Sequence, residues 1–288
     1  MRILITGVGS FVGESVRSYI LKNYEGFEID AVDTMEDRWK TADFASYDCV
    51  YHVAGIAHVN ADPSMEPLYY KVNRDLTIEV ARTAKEAGVG QFIFMSSMIV
   101  FHESQSLAKE VITPSTTPAP NGFYGDSKLQ AENGIKELED DNFKVCILRP
   151  PMIYGPGGKG NFPRLQKLAL KTPIFPAFHN KRSMLYIDNL AEFVMNAAKL
   201  RLSGTFYPQN ASLADTVEII RFFAAENGHK VWITPLLNPF VRLFAHFLQP
   251  LNKMFATYYY DPRMSEMDFD YRPVSFEESL VSMNKSLK

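Results

Sequence analysis

Arg2-Ile3-Leu4-Ile5-Thr6-Gly7-Val8-Gly9-Ser10-Phe11-Val12-Gly13 is the stretch whose reading decides the fold. Arg2 to Thr6 is a short apolar strand, and a helix is predicted over Glu14–Leu21. A glycine-rich turn between strand and helix is the setting in which such a motif binds a dinucleotide. Gly7 would make the tight turn, Gly9 would admit a close backbone approach, and Gly13 would let the helix pack on the strand. Ser10, Phe11 and Val12 lie between them at the helix N-terminus, whose N–H groups and dipole favour a pyrophosphate. The same pattern also fits a plain strand–helix turn. A second feature favours the dinucleotide. The strand Phe27–Val32 ends at Asp33, an acid roughly 20 residues beyond the glycines, placed to bond a ribose diol. Its charge repels a 2′-phosphate, so NAD(H) is favoured. Arg38 is near enough that NADP(H) stays open.

The rest of the first half follows the alternation of a doubly wound parallel sheet. Asp48–Val53 reads as a strand followed by Ala54-Gly55, small residues suited to a cofactor crossing a strand end. A helix is predicted from Glu66 to about Gly88, with Asn73 on it. Gln91–Met95 is a buried strand ending in Ser96-Ser97, where open α/β sheets place their ligands. Ser97 fits two readings, a strand-end cap or a partner for a substrate oxygen. A loop over 101–121, rich in Pro, Ser and Thr, leads to Phe123-Tyr124-Gly125-Asp126-Ser127-Lys128. Tyr124 and Lys128 share a helical face. A cation beside a phenol lowers its pKa towards the working range, so the pair can move a proton while a hydride leaves the same carbon. Read alone, it is also an ordinary solvated face. Lys144–Leu148 is the next strand and runs into Arg149-Pro150-Pro151.

Composition narrows the function classes. The chain has 288 residues, 46% hydrophobic and 22% charged, with a net charge of −3. No basic tract points to nucleic acid. Cys49 and Cys146 sit in apolar runs, so neither a disulfide framework nor a metal site is expected. An opening strand in place of a signal segment, with no long apolar run, gives the expectation of a cytoplasmic protein.

These pieces resemble the extended short-chain dehydrogenase/reductases, in the group of nucleotide-sugar epimerases, dehydratases and reductases. The matching residues are Thr6-Gly7 with Gly13, Asp33, His52-Val53-Ala54-Gly55, Asn73, Ser96-Ser97, Tyr124 with Lys128, Arg149-Pro150 with Tyr154-Gly155-Pro156, and Arg182-Ser183-Met184-Leu185-Tyr186-Ile187-Asp188-Asn189-Leu190. The resemblance implies Tyr124 as general acid/base, Lys128 on the nicotinamide ribose, Ser97 as third catalytic group and Ser96 beside the cofactor. It implies a cofactor site that also takes in Val53, Ala54, Gly55, Asn73 and Pro150. Arg182 falls where relatives hold the diphosphate of a nucleotide sugar, a task suited to a guanidinium fork. Asn161 and Arg164, after the turn Gly157–Gly160, are further substrate candidates, and Arg263 is a second phosphate candidate. A homodimer through the helices of Asn73 and Tyr124 is also implied. Two departures stand out. Ser10 occupies a place usually held by glycine, which puts the turn geometry in question. Met98-Ile99 replaces the Asp-Glu pair of sugar 4,6-dehydratases, which argues against dehydration.

The expected architecture is an α/β, Rossmann-type doubly wound parallel sheet with a smaller, mixed C-terminal substrate lobe. Residues 1–150 with about 184–210 would form the NAD(P)-binding domain, and 151–183 with 211–288 the nucleotide-sugar lobe. The expected function is an NAD(P)-dependent oxidoreductase at C4 of a UDP-hexose. A 4-reductase of a UDP-4-keto-6-deoxy-(N-acetyl)hexosamine leads, because the chain is short for the group. A UDP-glucose or UDP-GlcNAc 4-epimerase is the alternative, and a non-catalytic dinucleotide sensor the alternative of another class. One stretch fits none of this. Leu237, Phe240, Val241, Phe244, Phe247 and Leu248 recur near helical spacing, with Arg242, His246 and Lys253 among them. The first reading is a helix of the sugar lobe or of a dimer contact, since an apolar stripe of this kind usually faces a core; the other is membrane contact through 236–256.

Overall fold

The computed structural model describes residues 1–57, 62–102, 107–245 and 247–287. His246 and part of the 101–121 loop therefore lie outside the described residues. The first half runs β1 (Arg2–Thr6), α1 (Phe11–Asn23), β2 (Glu28–Val32), β3 (Cys49–His52), α2 (Glu66–Tyr69), α3 (Leu76–Glu86), β4 (Gln91–Met95), β5 (Lys109–Ile112), α4 (Phe123–Lys136) and β6 (Lys144–Leu148). The second half runs β7 (Met152–Tyr154), α5 (Asn161–Ala169), β8 (Ile174–Pro176), β9 (Met184–Tyr186), α6 (Ile187–Lys199), β10 (Gly204–Phe206), α7 (Thr216–Glu226), β11 (Trp232–Thr234), α8 (Asn238–Phe244), α9 (Gln249–Phe255), β12 (Thr257–Tyr260) and α10 (Phe276–Lys285).

Six strands form one sheet in the order β10-β6-β4-β3-β1-β2, and every pair in it is parallel. This is the doubly wound sheet expected from the alternation of strands and helices. Strands covered on both faces must be apolar throughout, and β3 and β4 are buried at every residue. The winding reverses beside β1, with β2 on one flank and β3 on the other. Ligands bind at the carboxyl ends of strands at such a switch point. Here those ends are Thr6 and His52, paired in register. Both cysteines are buried and unbridged.

Three further strand pairs, each parallel, lie outside the main sheet: β7 with β9, β8 with β11 and β5 with β12. One apolar cluster joins Ile3, Ile5, Tyr51 and Ile93 of the main sheet to Phe162, Val217, Phe223 and Leu280 of the later helices. A second cluster on the opposite face holds Trp39, Phe44, Phe92 and Ile135.

Two predicted helices differ in detail. The Glu66–Gly88 helix contains a π-helical turn, Tyr70–Asp75, between α2 and α3. A π-turn inserts one residue into the ladder and re-aims the side chains beside it. The apolar stripe after Pro235 does not turn inward as a core helix would. Val241 and Ala245 are 5% exposed, whereas Leu236, Phe240, Leu243 and Phe247 are 70, 57, 61 and 73% exposed.

Candidate functional site

The glycine turn places Gly7 at φ +104° and Gly9 at φ +74°, backbone that L side chains rarely adopt. A Cβ at Gly7 would stand 3.0 Å from the Ala54 nitrogen, and one at Gly9 would meet nothing within 4 Å. The turn is therefore shut towards the strand end after β3 and open at Gly9, in front of the α1 N-terminus. Ser10 caps α1, its Oγ accepting from the Gly13 N–H at 3.1 Å. The departure at Ser10 thus keeps the turn intact, and a hydroxyl that accepts in this way still has its own hydrogen to donate. These residues fit a dinucleotide pyrophosphate. Phe11 flanks the opening and lies against the turn after β7, where a Cβ at Gly158 would reach its ring at 3.1 Å.

Asp33 is exposed at the end of β2 and accepts from the Met35 N–H at 2.9 Å. Arg38 makes an exposed pair with Glu36 at 3.2 Å. Val53, Ala54 and Gly55 follow β3 directly. Asn73, in the π-turn, is fully buried; its Oδ1 accepts from the Ile56 N–H at 2.8 Å, and its Nδ2 donates to the Ile56 carbonyl and to Ser127 Oγ. Asn73 thus braces the loop after Gly55 against α4.

Lys128 is the strongest feature of the site. It is 5% exposed, and its ammonium donates to the Met95 carbonyl at the end of β4, 2.9 Å away. It lies 4.7 Å from the centre of the Phe94 ring. Gly55 makes room for it, since a Cβ there would stand 3.1 Å from Nζ. Burial pushes its pKa down to about 8, against the opposing charge of Glu132. Tyr124 is half-buried one turn earlier, edge-on to Tyr69 at 5.9 Å between ring centres. The first turn of α4 sits hard against the segment after Ser97, because a Cβ at Gly125 would fall 2.6 Å from the Ile99 carbonyl oxygen. Ser97 caps that segment, its Oγ accepting from the Ile99 N–H at 3.3 Å. The fold therefore gathers Ser97, Tyr124, Lys128, Gly55 and the glycine turn at one end of the sheet.

Behind them lies a group that the sequence reading left without a role. Glu132 and Arg149 are 0% and 4% exposed and pair through two nitrogens, the shorter contact 2.5 Å. Ser96 donates to the same carboxylate at 2.5 Å, so its hydroxyl faces this pair. Burial opposes the guanidinium charge, yet Glu132 holds the Arg149 pKa above its ordinary value. Glu132 continues the four-residue spacing of Tyr124 and Lys128, and that spacing was the available signal. The Pro150 carbonyl accepts from the Met98 N–H at 2.9 Å, fixing the strand end beside Ser97. His52 is buried between Thr6 Oγ1 at 2.7 Å and Thr77 Oγ1 at 3.0 Å. Burial depresses its pKa to about 3.

The substrate candidates are more dispersed. Arg182 is half-buried; its Nη1 donates to the Lys253 carbonyl, and burial lowers its pKa below the usual value. Asn161 and Arg164 are exposed on the first turn of α5. Arg263 is exposed and held by its neighbour Asp261 at 2.6 Å.

A family model described as "NAD dependent epimerase/dehydratase family" matches residues 3–205. A UDP-glucose 4-epimerase of Vibrio cholerae is 31% identical over 257 residues, covering 81% of this chain and 78% of that protein. The N-acetyl-alpha-D-glucosaminyl-diphospho-ditrans,octacis-undecaprenol 4-epimerase of Escherichia coli O157:H7 is 29% identical, covering 70% of this chain and 64% of that protein. Among solved structures, the UDP-glucuronic acid 4-epimerase of Bacillus cereus in complex with NAD superposes with a TM-score of 0.76 at 20% identity, covering 100% of this chain and 97% of that one.

Proposed function

The chain belongs to the NAD dependent epimerase/dehydratase family of enzymes, and from that premise we propose that it oxidises or reduces C4 of a diphosphate-linked hexose. The observation that carries this reading is the Lys128 ammonium, buried on the Met95 carbonyl one helical turn after Tyr124. A nicotinamide dinucleotide, when bound, supplies the hydride acceptor and donor. Gly7, Gly9, Ser10, Phe11, Val12, Gly13, Asp33, Val53, Ala54, Gly55, Asn73, Lys128 and Pro150 would hold it, with Ser96 supporting the strand end. An exposed Asp33, with Arg38 paired with Glu36, supports NAD(H) over its 2′-phosphate.

What the chain itself contributes is the path of the proton. In the oxidising direction Tyr124, as phenolate, takes the proton of the C4 hydroxyl while the hydride leaves the same carbon, and a ketone forms. In the reducing direction Tyr124 returns the proton to the oxygen. Lys128 stabilises the phenolate, and Ser97 bonds the substrate oxygen. Positioned general acid–base transfer of this kind contributes roughly 10²–10⁴-fold. Met98 and Ile99 give C5 and C6 neither acid nor base, which supports chemistry confined to C4. The division into a cofactor part, 1–150 with about 184–210, and a sugar part, 151–183 with 211–288, belongs to this proposal. So do Arg182 as a phosphate ligand and Asn161, Arg164 and Arg263 as further substrate contacts.

The hydride's fate separates two readings. The first is a 4-epimerase, which returns the hydride to the other face of the ketone; the two relatives named above are 4-epimerases, one of UDP-glucose and one of a sugar on an undecaprenyl diphosphate. The second is the 4-reductase, which takes the hydride from reduced cofactor in solution and releases the cofactor oxidised. Purified enzyme is incubated with UDP-glucose and UDP-GlcNAc, and separately with a UDP-4-keto-6-deoxy-hexosamine and reduced cofactor. Interconversion of the C4 epimers selects the first reading, and net oxidation of added cofactor the second. Tyr124→Phe abolishes either turnover and leaves cofactor affinity nearly unchanged; turnover equal to the unaltered enzyme would defeat the mechanism.

A further inference from the structure

The stretch between Glu226 and Asp261 carries no acidic residue and three cations, Lys230, Arg242 and Lys253, in a chain of net charge −3. It also holds the densest set of exposed large apolar side chains among the described residues. Trp232, Leu236, Phe240, Leu243, Phe244, Phe247 and Leu248 are between 44 and 73% exposed. Phe240 and Leu243 lie on α8, with Leu236 in the 3-10 turn before it and Phe247 just past its end. Val241 and Ala245 turn inward and anchor that helix to the body. Asn238 ties its start to the Ala177 carbonyl at 2.9 Å. The side chains therefore protrude from a fixed support.

We propose that this face docks on an anionic lipid bilayer, with α8 lying in the headgroup plane. Exposed aromatic and aliphatic groups flanked by cations are the make-up of an interfacial segment, where burial of apolar surface and attraction to anionic headgroups act together. A second copy of the chain fits less well. A two-fold contact sets the same patch against itself, and here that brings like cations together with no acid in the segment to receive them. No helix among the described residues is long and apolar enough to cross a membrane, so the contact is with one leaflet. The face also adjoins the sugar side of the site, because Arg182 is bonded to the Lys253 carbonyl in α9. A sugar diphosphate anchored in the leaflet would approach Arg182 from this face. That last step rests on the proposed role of Arg182, and the docking itself does not.

The test is vesicle co-sedimentation of the full chain. Vesicles of phosphatidylcholine alone are compared with vesicles of phosphatidylcholine and phosphatidylglycerol, at low and high salt. Binding to the anionic vesicles at low salt is expected to exceed binding to neutral ones by about tenfold or more, and to weaken with salt. The triple variant Leu236→Ser, Phe240→Ser, Leu243→Ser is expected to lose it, with its thermal transition and cofactor binding kept. Arg242→Glu is expected to lose the anionic preference alone. Equal sedimentation with both vesicle types, or an unaltered triple variant, overturns the proposal. So does a dimer, seen by sedimentation velocity, that the triple variant splits while the parent ignores vesicles; the face is then a protein interface. C4 turnover on a soluble UDP-sugar is read in parallel, so failure of docking and failure of the chemistry are told apart.

Discussion

At the scale of single residues, two buried bases with lowered pKa act at opposite ends of the pH range. Lys128 has its pKa lowered to about 8 by burial, so the free enzyme loses the ammonium as pH rises through that value. We expect kcat/KM to fall on the alkaline side near pH 8, because the charge that favours the Tyr124 phenolate is gone. Lys128→Met should abolish that limb and reduce kcat/KM by roughly 10²–10⁴-fold; a limb that persists in the variant assigns it to another group. For stability the sign is also set. Holding a charged lysine in the folded state costs free energy at neutral pH, and the cost lifts between about pH 8 and the ordinary 10.5. His52, with its folded pKa near 3 against an ordinary 6.5, acts at the acid end. Its stabilising contribution is complete above pH 6.5 and is lost as pH falls towards 3, since the unfolded chain takes up the proton first. Urea unfolding from pH 7 to 4 should show a loss approaching ~1.4 kcal/mol per pH unit from this group. His52→Gln should flatten that slope, and an identical slope in the variant would place the titration elsewhere.

At the scale of elements, Glu132 and Arg149 fasten α4 to the end of β6. Removing one member leaves the other charged in an apolar setting, while removing both does not. Arg149→Leu alone should therefore cost about 3–5 kcal/mol in chemical denaturation. Glu132→Leu with Arg149→Leu should recover a large part of it; equal losses in the single and double variants would mean that the pair does not act as a unit. Turnover in the single variant should drop as well, because Ser96 shares the Glu132 carboxylate and precedes Ser97. How much of this was legible in sequence follows from which signals are local. The strand–turn–helix at Arg2–Gly13 and the Tyr124–Lys128 spacing are local; β1 and the helix of Tyr124 fall where they were expected, and α1 starts at Phe11 instead of Glu14 because Ser10 caps it. The Glu132–Arg149 pair is not local, since it joins a helix to a strand 17 residues away, and nothing in either segment announces the partner. The π-turn at Tyr70–Asp75 was invisible for a related reason. Its periodicity differs from an α-helix by one residue, and what holds it is the burial of Asn73 against Ile56 and Ser127. The stripe after Pro235 stayed ambiguous because periodicity shows that a face is apolar and says nothing of what covers it.

At the scale of the whole molecule, the main sheet and the later helices share one apolar cluster, from Ile3 and Tyr51 to Phe223 and Leu280. The late elements are thus packed on the same strands that form the cofactor end, although the sequence separates them by more than half the chain. A shared core of this kind should unfold as a unit. The chain has two tryptophans, and Trp39 lies buried against Phe44 in the cluster on the other face of the sheet. In the Trp232→Phe variant, Trp39 fluorescence reports that cluster alone, while far-UV circular dichroism reports all the helices. The two thermal curves are expected to coincide. Saturation with NAD at about a hundredfold over its Kd should add roughly 2.7 kcal/mol and shift both curves together. Were α5, α7 and α10 an independent unit, the dichroism curve would divide into two steps and NAD would move only the step that Trp39 follows. Coincident curves would instead mean that Val241 of α8 and Met184, two residues after Arg182, unfold together with the strands that lead into the glycine turn and Gly55.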